Sequence, residues 1–134
     1  MVTQTARLEK KHLGQPDGRK DMPKPRMEWV DLEEMTLGRV TLQPGWKWSQ
    51  DIRPLVKTDS CQCPHAMYTV SGHMKVVMDD GAELELGPGD FAAIPPGHDA
   101  WVVGNEPYCG IDLTGFKEMR ESMSEEQPAS RKPR

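Results

Sequence analysis

The sequence predicts an all-β domain of the sandwich or barrel kind, on three observations. Between about residues 28 and 113, short runs rich in β-branched and aromatic residues recur at close, regular intervals. The segments between them are chemically explicit turns: Asp79-Asp80-Gly81, Gly87-Pro88-Gly89-Asp90 and Pro95-Pro96-Gly97. No self-similarity with a period of 20 to 50 residues is visible, which excludes solenoids and propellers.

In chain order, residues 1–26 show no sustained hydrophobic period, and Gly14, Pro16, Gly18, Pro23 and Pro25 interrupt any helix. This stretch reads as a flexible N-terminal arm that contributes little to the core. Candidate strands follow at Glu28 to Leu32, Thr36 to Leu42, Ser49 to Val56, His65 to Ser71, Met74 to Met78, Glu83 to Leu86, Asp90 to Ile94, Asp99 to Val103 and Cys109 to Leu113. The β domain therefore spans residues 27–115. Phe116, Met119, Arg120 and Met123 recur at helical spacing and predict a short C-terminal helix. The end, 124–134, is rich in Ser, Glu, Gln, Pro and Arg and reads as a disordered tail.

The 134 residues set an expectation of one domain with a modest core. No apolar run approaches the roughly 18 residues of a membrane span, and residues 1–11 are polar where a signal peptide would be apolar. The expectation is a soluble, cytoplasmic protein with no membrane role. The three cysteines then read as thiols or ligands rather than a disulfide framework. The net charge of −4 is uneven: residues 1–30 carry 7 basic and 4 acidic groups, residues 31–115 carry 5 and 13, and residues 116–134 carry 5 and 4. An acidic body repels phosphate backbones, which argues against a nucleic-acid partner. The glycines lie in strand-to-strand turns rather than before a helix, so no phosphate-cradling loop is present.

Within this pattern, Tyr68-Thr69-Val70-Ser71-Gly72 resembles the "Y-V-L-x-G" end of the first cupin motif. Gly87-Pro88-Gly89-Asp90, followed by Pro95-Pro96-Gly97, resembles the "PGD…iPxG" core of the second. The string from Pro96 to Gly104, with Trp46, Trp48 and Asp59-Ser60-Cys61-Gln62 upstream, is similar to a branch of small single-domain bacterial cupins. The resemblance covers about residues 40–115. It implies a cupin-type double-stranded β-helix, a jelly roll, with any site in the barrel mouth.

Cupin metal sites use two His and a Glu from the first motif and one His from the second. By the resemblance, the Glu position holds His65, the second His falls on Cys61, the first on Asp59, and the second-motif His on Ala100. His98, two residues before Ala100, shares its strand face. The implied ligand set is Cys61, His65 and His98. On a straight strand, residues four apart are separated by roughly 13 Å, so Cys61 and His65 can share an ion only if the chain bends, for which Cys63-Pro64 is the place. Three N/S ligands with an open position suit Zn²⁺ best, with iron, nickel, manganese and copper as alternatives. Other readings stay open: Cys61 as a buried hydrophobe beside two hydrogen-bonded histidines, a Cys61-x-Cys63 pair with His65, or a Cys-His nucleophile pair. Cys109 reads as core, and His12 and His73 as exposed.

Trp48 and Tyr68 are candidate pocket walls, as are Trp46 and Trp101, although core packing explains each tryptophan as well. An inward Arg53 would favour a carboxylate ligand. Asp99, beside His98, is the candidate proton carrier, with orienting an imidazole or capping a turn as alternatives. The sequence thus leads to a small metal-binding cupin that acts on or binds a small oxygenated organic molecule. The alternative is a non-catalytic ligand-binding or sensor cupin working with a partner protein. A homodimer formed through a sheet edge or the N-terminal arm is expected.

Overall fold

The structure, a computed structural model, describes residues 7–114 together with 116, 117, 120 and 121. Nine strands are described: β1 Gly18–Asp21, β2 Pro25–Asp31, β3 Thr36–Leu42, β4 His65–Ser71, β5 His73–Met78, β6 Glu83–Leu86, β7 Phe91–Ile94, β8 His98–Val103 and β9 Tyr108–Asp112. They form a six-stranded sheet in the order β1-β2-β3-β9-β4-β7 and a three-stranded sheet in the order β6-β5-β8. Every pairing is antiparallel. This is the all-β architecture expected from the turns and the recurring short runs, in the double-sheet jelly-roll form that the cupin resemblance implies.

Alternation sets what faces inward. Val40 and Leu42 of β3, Met67 and Thr69 of β4, Met74 and Val76 of β5, and Ala100 and Val102 of β8 are all buried. The two sheets close over these residues and over Trp46 and Trp48. Gly72 makes the β4–β5 turn possible, because its φ of 79° lies in the left-handed region and a Cβ there would collide with the Pro107 carbonyl.

Two parts of the chain depart from the sequence expectations. Ser49 to Val56, expected as a strand, holds two short helices, α1 Trp48–Asp51 and α2 Arg53–Val56. Trp48, Ile52, Leu55 and Val56 recur at helical spacing and pack on the core, and Pro54 sits in the first turn of α2, where its missing N–H costs nothing. The N-terminal stretch is also more ordered than expected. β1 pairs with β2 from Gly18↔Trp29 to Asp21↔Arg26, so the boundary placed after residue 26 falls inside a strand. Gly18 leaves room for the Trp29 ring, against which a Cβ would clash. At the other end, Phe116, Lys117, Arg120 and Glu121 are helical, and fully buried Phe116 packs beside Trp29 with ring centroids 5.7 Å apart. Met119, Met123 and the tail 124–134 lie outside the described residues, as do residues 1–6. Among the described residues no helix is long and apolar enough to cross a membrane.

Candidate metal centre

Backbone pairing brings the first and last members of the expected ligand set together. Cys61 N–H donates to the His98 carbonyl at 2.8 Å, and Gly97 N–H donates to the Cys61 carbonyl at 2.7 Å. Cys61 and His98 are thus partners in an isolated antiparallel bridge at the start of β8. His65 opens β4 on the inner face, and its Nε2 lies 3.8 Å from Cys61 Sγ. So close an approach, against roughly 13 Å for a straight strand, requires the chain to turn between them, where Pro64 stands.

The three ligand atoms all lie within 4.8 Å of one another, and all three residues are buried. Both imidazoles are oriented by hydrogen bonds on the far side of the ring. His65 Nδ1–H donates to Asp112 Oδ2 at 2.7 Å, and His98 Nδ1–H donates to the Pro95 carbonyl at 2.8 Å. Each ring keeps its Nε2 lone pair for the centre, the arrangement by which metal-binding histidines are fixed in tautomer and direction. Burial holds the His98 pKa below its ordinary value, reinforced by the neighbouring His65 and opposed by the Pro95 carbonyl, which favours the neutral, ligating ring. The Cys61 thiol is pushed up, by its contact with the Cys63 side chain first and burial second, so without a cation it stays protonated. A dication beside the sulfur reverses that preference.

The donor set fits a tetrahedral cation. At the tetrahedral angle, bonds of about 2.3 Å to sulfur and 2.0 Å to nitrogen place those two ligand atoms about 3.5 Å apart, near the 3.8 Å found between Cys61 and His65. With three protein ligands, one coordination position remains for a small molecule or water. Beside the ligand set lies a cavity of about 60 Å³, walled by Trp46, Trp48, Ile52, Met67 and Met74 among others.

The other expected site residues divide. Trp48 is buried in the cavity wall, together with Trp46. Tyr68 is not in the mouth; it is 43% exposed on the outer face of β4, opposite Phe91. Arg53 lies on α2 at the surface, with Nη2 3.8 Å from the fully exposed Asp59, so neither residue reaches the cavity. Asp99 alternates away from the ligand set, and its Oδ1 accepts the amides of Ser49 at 3.1 Å and Ala100 at 2.8 Å. It therefore caps the start of α1 from β8, and is not placed to carry protons at the centre. Trp101 also faces outward, beneath the Lys47 ammonium at 4.9 Å. Cys109 is half-buried between inward Tyr108 and Gly110 rather than in the core, and His12 and His73 are exposed.

Asp112 is the functional residue that sequence reasoning missed. It is fully buried. Its signal was parity: Tyr108, Gly110 and Asp112 share the inner face of β9, and an acid on an otherwise apolar inner face needs a partner.

Comparison with known proteins agrees with this architecture. The model of the EutQ-like cupin domain matches residues 57–108. No curated protein matches the chain. Among solved structures, a protein of unknown function from Rhizobium leguminosarum bv. viciae 3841 superposes with a TM-score of 0.60 at 15% identity, covering 81% of this chain and 96% of that one. Ectoine synthase from P. lautus gives 0.57 at 15% identity, with 85% and 86% covered. The formate complex of Lactobacillus farciminis oxalate decarboxylase gives 0.53 at 19% identity. The match covers 72% of this chain but only 30% of the decarboxylase. At these identities the likeness establishes the fold.

Proposed function

We propose that the chain is a small cupin-superfamily protein, a reading that the match of residues 57–108 and the shared fold support, and that it holds a divalent metal through Cys61, His65 and His98 and binds a small oxygenated organic molecule beside it. The observation that carries this reading is the convergence of one sulfur and two oriented imidazole nitrogens within 4.8 Å in a buried setting. A thiolate with two imidazoles favours Zn²⁺ over oxygen-seeking ions. When bound, the metal supplies a Lewis acid that polarises an oxygen of the occupant. The chain's own contribution is to fix the two rings, to surround the occupant with Trp48 and its apolar neighbours, and to exclude bulk water.

Elemental analysis of the protein purified without added metal tests the reading. About one zinc per chain is expected, lost in His65→Ala and His98→Ala. Metal-free protein that takes up no zinc on dialysis overturns it.

A second reading, ligand binding without turnover, has a specific observation in its favour. The acids beside the set are engaged, Asp112 with His65, Asp99 with the Ser49 amide and Asp79 with the Ser60 hydroxyl. Proton transfer would need a group freed from these bonds. For self-association, the β7 edge supports the expected homodimer: Phe91 and its cross-strand neighbour Tyr68 are exposed together on the outer face. Sedimentation of Phe91→Glu against the parent chain tests it.

A further inference from the structure

We infer that α2 is a lid: the route from solvent to the ligand set runs through a second cavity beneath it and opens when α2 lifts from the segment 58–63. The inference rests on the reading of the site given above and adds the way into it.

A way in is needed because every residue lining the cavity beside the ligand set is buried. A second cavity, of about 90 Å³, lies against the first and shares Trp48, Ile52 and Cys61 with it as a common wall. The rest of its lining, Val56, Thr58, Gln62 and Cys63, is half-buried or exposed, so this chamber faces the solvent.

The parts of the common wall are held differently. Cys61 is tied to β8 by backbone hydrogen bonds with Gly97 and His98, and the start of α1 by the Ser49 amide on Asp99. Among the described residues, the backbone hydrogen bonds of α2 all close within its own segment, from Leu55 and Val56 to the Ile52 carbonyl and from Lys57 to that of Arg53. What holds α2 down is the packing of Ile52, Leu55 and Val56, since the Arg53–Asp59 pair is a surface contact at 3.8 Å. The helix also ends on Lys57, whose φ of 62° lies in the left-handed region that suits glycine. A segment with so few ties to the sheets opens more readily than they do. A groove on another side meets the inner cavity at Val76 and Ile94, but both of those residues are held in strand ladders.

The test uses the full chain. Alkylation of Cys61 by iodoacetamide is timed in metal-free protein by peptide mass spectrometry, and zinc uptake and release to a chelator are timed separately. Leu55 packs α2 on the core but lines neither cavity, so Leu55→Ala loosens the lid alone. Val56→Phe fills the outer chamber, and Ala82→Phe fills the other groove. Leu55→Ala should speed Cys61 alkylation about tenfold and Val56→Phe should slow it about tenfold. Zinc uptake and release should move together by the same factors, leaving the zinc Kd unchanged, because a gate alters both rates alike. Ala82→Phe should change nothing, and neither should Val30→Ala, which weakens a buried position lining neither cavity. If Leu55→Ala folds poorly, Val56→Phe against Ala82→Phe decides. Equal acceleration in Leu55→Ala and Val30→Ala would show that access follows general unfolding, and slowing by Ala82→Phe but not Val56→Phe would place the entrance between the sheets; either overturns the lid and leaves the metal centre standing. A parent chain that takes up no zinc overturns the metal centre, and the alkylation rates then decide the lid by themselves.

Discussion

Asp112 accepts the Nδ1 proton of His65 at 2.7 Å, with both residues buried and 47 positions apart in the chain. The contact fixes which imidazole nitrogen faces Cys61 and raises the basicity of that nitrogen toward a cation. It also explains why an acid is tolerated on the inner face of β9: its charge is hydrogen-bonded rather than bare.

Replacing this acid tests its role directly. Asp112→Asn keeps the shape and removes the charge, and zinc affinity should fall by roughly 10–100-fold, the range found when the group orienting a ligating histidine is lost. Asp112→Ala should be worse, since it leaves His65 Nδ1–H without its acceptor. Competition with a chromophoric chelator measures both. Unchanged affinity in the two variants would show that the rest of the barrel holds His65 without help.

Buried Tyr108 gives a prediction in alkaline solution. Its hydroxyl meets Thr69 Oγ1 at 2.8 Å, and burial pushes its pKa from the ordinary 10.0 up to about 12. Between these values the unfolded chain has released the phenol proton while the folded chain retains it. The unfolded state then binds fewer protons, so stability is full below about pH 10 and falls as pH rises toward about 12. In a Tyr68→Phe background the ultraviolet absorbance of tyrosinate reports Tyr108 alone and should rise only near pH 12. Ionisation near pH 10 with the fold intact would contradict the burial argument.

Deleting residues 1–26 should destabilise the domain, contrary to what the Gly- and Pro-rich sequence suggests. The cut removes β1 and the first two residues of β2 and uncovers Trp29 and Met27. Losing about three backbone hydrogen bonds at about 1 kcal/mol each implies a loss on the order of 3 kcal/mol before packing is counted. Urea denaturation measures it, and an unchanged midpoint would show that β1 is dispensable.

These cases show where the sequence is legible. β3 and β4 fall where the sequence places them, because one face of each is tied to the core and a slip would invert it, while β6, of which only Leu86 is buried, is set by the turns on either side of it. The segment 49–56 misleads because it reads as one more short run between turns, while the helical spacing from Trp48 through Ile52 to Val56 decides the outcome. β1 is hidden because an edge hairpin needs little hydrophobic pattern of its own. Cys61, His65 and His98 were reachable through family positions and strand parity. Asp112 was not, since its meaning depends on β4 and β9 being neighbours, which is a property of the sheet order. Tyr68, Arg53 and Asp99 were misplaced for the complementary reason: residue type suggested a site, and face or element put each one outside it.

The sharpest test of the centre is the contrast between its two neighbouring cysteines. Cys61 is buried with its sulfur 3.8 Å from His65 Nε2, whereas Cys63 is half-buried and lies outside the converging set. Cys61→Ser replaces a soft donor with a hydroxyl and should cost zinc more affinity than the roughly 10–100-fold expected for losing a group behind a ligand. Cys63→Ser should cost much less, and it removes the side chain whose contact raises the Cys61 thiol pKa. Bound zinc should also shield Cys61 from alkylation and release it on chelation, with affinity weakening toward acid pH because the thiol must give up its proton to bind. If Cys63→Ser proved the more damaging change, the centre would have to be rebuilt around the other sulfur. If neither mattered, Cys61 would be a core residue and the two histidines would have to hold the cation alone.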